Sequence, residues 1–218
     1  MSEVQTRATE MISRHGFLGV PLDTFEQAGR EQLISLLNEG MNPESKIVEV
    51  GCGCLRIAYW LVRFLDPGCY YGIEPARLRV EYGLQYLFNA GEVQLKRPRF
   101  DFNPRFDTSV FGAQFDFFLA RSIWTHASKL QIVATLESFI RDSKDTGVFL
   151  VSYLPARIPD EEYGGDRWVG TSHESNTPGV IRHSLEWILT QCEERALRAD
   201  LLAGTDCDGQ SWLRLRRA

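Results

Sequence analysis

The residues whose spacing carries the most chemistry lie in the run Val48-Glu49-Val50-Gly51-Cys52-Gly53-Cys54-Leu55-Arg56. A β-branched apolar segment, Lys46 to Val50, leads into it, and an amphipathic segment follows. Glycine has no Cβ, so Gly51 and Gly53 let the backbone turn tightly and come close to a ligand. A helix starting behind such a turn offers unpaired N–H groups. Three readings compete. The first is a bare β–α turn. The second is a dinucleotide fingerprint, which needs G-x-G-x-x-G; Arg56 occupies the third glycine position and would obstruct a pyrophosphate. The third uses Glu49, which strand alternation places on the face opposite Val48 and Val50. A carboxylate there repels a pyrophosphate and attracts a cation.

These residues need elements to hold them. Phe25, Ala28, Leu33, Leu36 and Leu37 fall at helical spacing and predict a helix that Gly40 and Pro43 stop. Strands are predicted at 46–50, 69–73, 115–120 and 147–153, with a short one near Phe100. Helices are predicted at 57–65, 77–88 and 129–141, the last with Leu130, Val133, Leu136, Phe139 and Ile140 toward the core. Ser184 caps another helix. Two strand-like runs, 197–202 and 210–215, are joined by a linker too short for a crossover helix, so they form an antiparallel pair. Alternating strands and helices mean βαβ units and a mostly parallel sheet covered on both faces. The segment 154–183 has no period, and long aperiodic stretches in compact domains are usually lids or binding segments.

With that order in place, Glu49-Val50-Gly51-Cys52-Gly53 resembles motif I of the class I S-adenosylmethionine-dependent methyltransferases: an acidic residue, x, Gly, x, Gly. The resemblance runs from Phe25 to Leu215. The combinations Gly-Cys-Gly-x-Leu-Arg, Tyr-Gly-Ile-Glu-Pro and Ser-Ile-Trp-Thr-His are similar to a bacterial subgroup with poorly defined acceptors. Leu55 stands where many members carry a third glycine. The resemblance implies an α/β, Rossmann-like, mostly parallel seven-stranded sheet with helices on both faces and an antiparallel C-terminal strand. A single domain, 1–218, is expected, with 1–24 as an N-terminal segment and 154–183 as an acceptor-binding loop or lid.

The resemblance also implies the cofactor, S-adenosylmethionine, and a set of roles. Gly51, Cys52 and Gly53, with Leu55 and Arg56, approach its amino-acid end and ribose. Glu49 orients the methionine ammonium. Glu74, 21 residues after Gly53 and followed by Pro75, can accept both ribose hydroxyls. Asp101 or Asn103 meets the adenine edge. Ala120, Arg121 and Ser122 lie near the transferring methyl. His126 is the general base, an acceptor-binding residue or a cap of the helix at Lys129, and Trp124 either a pocket wall or core. Tyr153, Tyr163, Trp168 and His173 are candidates for the acceptor side. Methyl transfer needs alignment and exclusion of water more than a conspicuous triad.

The remaining arithmetic narrows the class. The chain has 218 residues and a formal net charge of −5, which fits one domain and disfavours an obligate nucleic-acid partner. The basic–aromatic run Lys96-Arg97-Pro98-Arg99-Phe100 reads first as a solvated loop. The longest apolar run, Ile57 to Val62, is far short of the roughly 20 residues that span a bilayer. No hydrophobic leader pattern is present in Met1 to Gly16. Five cysteines without a C-x-x-C pair read as free thiols. The expectation is a cytoplasmic enzyme with a small-molecule or glycan-like acceptor, methylated at oxygen or nitrogen, and no metal. A methyltransferase-like scaffold without activity and an NAD-dependent oxidoreductase stay open.

Overall fold

The computed structural model describes residues 2–172 and 175–218. Seven strands form one sheet: β1 (Ile47–Val50), β2 (Tyr70–Ile73), β3 (Arg99–Asp101), β4 (Phe115–Ala120), β5 (Ser143–Tyr153), β6 (Leu197–Leu201) and β7 (Ser211–Arg217). Their order is β3-β2-β1-β4-β5-β7-β6. The first five are parallel, and β7 inserts antiparallel between β5 and β6. This is the sheet the sequence predicts, including its antiparallel end. β1 and β2 are buried throughout, as the central strands of a doubly covered parallel sheet must be. The strand order reverses between β1 and β4, with β2 and β3 on one side and β5 on the other, and such a switch point opens a crevice at the carboxyl ends of the strands.

The helices are α1 (Glu3–His15), α2 (Phe25–Asn38), α3 (Ala58–Phe64), α4 (Arg77–Leu87), α5 (Ala90–Lys96), α6 (Lys129–Asp142) and α7 (Leu185–Glu193). Two apolar cores, one on each face of the sheet, follow from this layering. α1 is not read from the sequence, because its buried residues Val4, Ala8 and Met11 are few and one is small. Ser2, which accepts from Gln5 N–H at 3.3 Å, is the cap that signals it. α1 packs on α4, with His15 stacked on Tyr82 at 3.7 Å. α5 is also unread; its signal is Asn89-x-x-Glu92, with Glu92 accepting from Asn89 N–H at 2.9 Å.

One core assignment is corrected. Leu130 is 71% exposed. The buried stripe of α6 is Ile132, Leu136 and Phe139, and a residue two positions before Ile132 points to the opposite side of a 3.6-residue helix. Of the basic run at 96–99, Arg97 and Arg99 are exposed, as a solvated segment would be, while Lys96 is held by the fold. Lys96 Nζ donates to the carbonyls of Arg63 and Leu65 at 3.0 and 2.6 Å, and Arg99 lies over Tyr71, 5.2 Å from its ring centre. Among the described residues all five cysteines are free, and no helix is long and apolar enough to cross a membrane.

Candidate active site

The turn after β1 is built as a backbone cradle. Gly51 and Gly53 have φ of 75° and 52°, in the left-handed region that glycine enters without cost. A Cβ on Gly51 would sit 2.0 Å from Ile123 Cδ1, whereas one on Gly53 would meet nothing within 4 Å. Both residues line a cavity of about 630 Å³ at the switch point, a size typical of small-molecule sites, about 300–1,000 Å³.

Leu55 keeps the glycine-like conformation, with φ of 67°. Its side chain is fully buried and leaves the cavity. Room for it comes from α4: a Cβ on Gly83 would lie 2.7 Å from Leu55 Cγ and 2.6 Å from the Cys54 carbonyl oxygen. Gly83 thus compensates for the missing third glycine by letting α4 approach the turn. Gly83→Ala is expected to destabilise the protein by about 1–3 kcal/mol through overpacking, read as a lower urea midpoint; an unchanged midpoint would show that the helix can move away freely.

Two acids flank the cradle. Glu74, at the end of β2, is 5% exposed. Its Oε2 accepts from Gly53 N–H and its Oε1 from Ala76 N–H, both at 3.0 Å. An ionised carboxylate offers about four acceptor sites, so two remain for a ligand diol. Arg79 Nη1 stands 3.9 Å from Oε1. Glu49 is 6% exposed and accepts from the Tyr70 hydroxyl at 2.5 Å. Burial is the main cause that pushes its pKa up to about 8; the Tyr70 hydrogen bond and Arg56 oppose the rise, and Glu74 adds to it.

Arg56 closes the floor. It is 7% exposed, and its Nη1 has no hydrogen-bond partner among the described residues. Burial, then the neighbouring Arg121, draws its pKa down to about 10, so it stays charged at neutral pH. An unpaired buried cation is costly unless an anion joins it. Arg121, by contrast, is already paired with Asp206 and Asp208, from the loop joining β6 to β7. That loop is tied to α2, with Thr24 Oγ1 donating to Asp208 at 3.1 Å and Cys207 N–H to Glu31 at 3.0 Å.

The far side of the cavity is made by a turn after β4 and two covering segments. Ser122 has φ of 61°, which sends Ile123 into the cavity and Trp124 into the core. The ring of His126 stacks on Trp168 at 5.5 Å, and Trp168 stacks on Phe106 at 5.9 Å. His126 Nδ1 is 2.7 Å from the Val169 carbonyl oxygen. A carbonyl only accepts, so the proton resides on Nδ1 and Nε2 keeps its lone pair. Burial holds this imidazole below its ordinary pKa, against the Val169 and Gly179 carbonyls that favour the charged form, and Arg79 adds to the lowering. Two residues of the 154–183 stretch are tied to the turn after β4, Val169 N–H donating to the His126 carbonyl at 2.9 Å and Ile181 N–H to the Thr125 carbonyl at 2.8 Å.

The structure therefore gathers Glu49, Gly51, Cys52, Gly53, Arg56, Glu74, Arg121, Ser122, His126 and Trp168 on one cavity. It takes others elsewhere. Trp124 is fully buried, with Nε1 donating to Thr135 Oγ1 at 3.0 Å; it anchors α6 rather than walling the cavity. Tyr153 and Ala120 end their strands inside the core. Asp101 accepts from Asn103 N and Nδ2 at 2.9 and 2.7 Å, and Asn103 also accepts from Asp107 N–H at 2.8 Å, so their polar groups close the 101–107 loop on itself. Tyr163 donates to the Arg167 carbonyl at 3.0 Å, away from the cavity. Pro75 is half-buried behind Glu74 and, like Leu55, does not line it. His173 lies outside the described residues.

Several lining residues carry no sequence signal. Leu18, Val20 and Gln32 arrive from the N-terminal third, and Arg79 from α4. They are ordinary loop and helix residues, and only the packing of α1 and α2 beside the strand ends puts them there.

No protein-family model matches the chain, and no curated protein matches it in sequence. Solved structures do match in fold. One is the magnesium protoporphyrin IX methyltransferase ChlM of Synechocystis PCC 6803 with bound S-adenosylmethionine, at 15% identity and TM-score 0.63, covering 98% of this chain and 90% of that one. Another is DesVI of Streptomyces venezuelae, at 14% identity and TM-score 0.62, covering 89% and 92%. A third is an S-adenosylmethionine-dependent methyltransferase of Clostridium acetobutylicum ATCC 824, at 9% identity and TM-score 0.63, covering 92% and 93%. At such identities the likeness is one of fold, and the fold is that of the S-adenosylmethionine-dependent methyltransferases.

Proposed function

We propose that this chain is an S-adenosylmethionine-dependent methyltransferase acting on oxygen or nitrogen of a small-molecule acceptor. The observation that carries this is the charge layout around the glycine turn. Two buried carboxylates, Glu49 and Glu74, and the unpaired Arg56 face one cavity. An ammonium suits Glu49, a carboxylate suits Arg56, and a ribose diol suits the two free acceptor sites of Glu74. Gly51 and Gly53 keep the space between them clear of Cβ atoms. A dinucleotide would instead set its pyrophosphate beside Glu74 and bring no cation for Glu49 to ionise against. S-adenosylmethionine supplies a methyl group on a sulfonium, a good leaving group. The chain's residues bind and orient it, and residues 17–21, 170–172 and 178–180 line the same cavity and can exclude water from it. His126, a neutral imidazole on the cavity wall, can hold the acceptor's proton.

A ligand that binds only the folded state raises the melting temperature. S-adenosylmethionine or S-adenosylhomocysteine at about 100 times Kd contributes about 2.7 kcal/mol, a rise of about 5–10 °C for a chain of this size. Glu74→Ala is expected to weaken binding about 10- to 100-fold, because a hydrogen bond to a charged group contributes about 1.5–3 kcal/mol. Stabilisation by NAD alone would overturn the reading.

A further inference from the structure

From the ends of three neighbouring strands we infer that Gln210 is a positioning residue for the cavity: through Ser122 it sets where Ile123 stands against the glycine turn. The inference goes beyond the methyltransferase reading and rests on it only for the ligand used in its test. Neither Gln210 nor Ser152 lines the cavity, whereas Ser122 and Ile123 do. β7 runs antiparallel beside β5, with Tyr153 opposite Ser211. The first residue of β7 therefore stands at the carboxyl edge of the parallel strands, the edge that carries the cavity. Gln210, immediately before β7, meets Ser152 near the end of β5 and Ser122 just past the end of β4.

These three side chains and Thr125 form a directed network. Ser122 N–H donates to Ser152 Oγ, and the Ser152 hydroxyl donates to Gln210 Oε1, both at 2.7 Å. Gln210 Nε2–H donates to Ser122 Oγ at 3.0 Å. The Thr125 hydroxyl donates to the Ser122 carbonyl at 3.0 Å, which leaves the Ser122 hydroxyl to donate to Thr125 Oγ1, 3.1 Å away. A hydroxyl has one proton, so the protons of all three hydroxyls are committed within the network. Ser152 and Thr125 are fully buried and Gln210 is 6% exposed, a depth at which polar groups are costly unless paired. What the pairing holds is Ser122 at φ of 61°. A residue with a Cβ stays in that region only where its surroundings over-determine it. Ile123 follows directly, and its Cδ1 fills the space that a Cβ on Gly51 would need. The same loop holds the residue before Ser122. Asp206 Oδ1 accepts from Gln210 N–H at 2.9 Å, and Oδ2 pairs with Arg121 at 3.2 Å.

The test uses the full chain, calorimetry with S-adenosylhomocysteine, and NMR of the isoleucine Cδ1 methyl groups. Gln210→Ala is expected to weaken binding about 3- to 10-fold, the range of one or two hydrogen bonds. In the ligand-free protein it should shift or split the Ile123 methyl signal and leave in place that of Ile47, at the opposite end of β1. Ser152→Ala should do the same. The double variant should lose little more than the larger single loss, because both act through Ser122. Gln210→Met keeps the length of the side chain and serves if the alanine variant does not fold. Ile188→Val, a core truncation on α7, is expected to lower the urea midpoint and leave both affinity and the Ile123 signal unchanged. Unchanged affinity in the Gln210 variants would overturn the inference. So would weakened affinity with an unmoved Ile123 methyl, or equal losses in Ile188→Val, since affinity would then merely follow stability. If the unsubstituted chain bound no S-adenosylhomocysteine, the methyltransferase reading would fail, and the Ile123 signal would still decide whether Gln210 positions the wall.

Discussion

Affinity for S-adenosylmethionine is expected to rise about tenfold per pH unit from pH 6 to about pH 7, level off to a peak near pH 8 and fall above it. Glu49 causes the acid limb. Burial lifts its pKa to about 8, so at pH 6 the empty cavity holds a carboxylic acid. An ammonium ligand binds the carboxylate, so one proton must leave, and each unit of pH below the pKa costs about 1.4 kcal/mol. The alkaline limb belongs to the ligand, whose α-amino group has an ordinary pKa of about 7.7–8.0. Calorimetry in two buffers of different ionisation heat should show release of about one proton at pH 6.5. Glu49→Gln should flatten the acid limb. A flat profile in the unsubstituted protein would mean that Glu49 does not meet the ammonium.

The effect of Glu49 on folding has the opposite sign from that of a salt-bridged acid. The folded state keeps a proton that the unfolded chain releases above about 4.5. Its contribution to stability is therefore full below that pH and declines as pH rises toward about 8. The ligand reverses this penalty by providing the missing countercharge. Tyr70, from the neighbouring strand, contributes a hydrogen bond that holds the carboxyl in place in either state.

Gly53→Val is expected to lower cofactor affinity at least about 100-fold while the protein still folds. The Cβ of residue 53 projects into clear space on the cavity side of the turn, so the backbone can accommodate the change and the ligand cannot. A β-branched residue at φ of 52° adds strain of about 1–2 kcal/mol, which urea denaturation would read as modest destabilisation. The lost approach of ligand to backbone is worth about 3 kcal/mol if binding falls 100-fold. Gly53→Ala should fall between. Affinity unchanged in the valine variant would mean that the loop is only a turn.

Legibility of the fold and site followed the range of the interactions that encode them. Periodicity and turn residues are local, so β1, β2, β4, α2, α3 and α4 could be read with their boundaries within a residue or two. The cradle was legible because Glu49, Gly51, Gly53 and Glu74 are placed by strand ends, and a strand end is a local event. Leu55 was legible as an anomaly but not in its outcome. Its αL geometry depends on Gly83, 28 positions away, which provides the space on α4.

The sequence by itself determined the order of the strands and of every helix but α1 and α5, the antiparallel end of the sheet, and which acids and glycines stand at the carboxyl edge. Tertiary structure decided which way the segment after β4 turns. Ser122 in the left-handed region gives the cavity Ile123 and the core Trp124, a choice that alternation alone leaves undetermined. It also decided that Arg121 is neutralised by Asp206 and Asp208 while Arg56 is not, and that Leu18, Val20 and Arg79 join the same cavity. These outcomes rest on contacts between residues tens to more than a hundred positions apart. Side-chain type specifies what such residues can do, but only the packing of α1, α2 and the β6–β7 loop against the strand ends specifies what they meet.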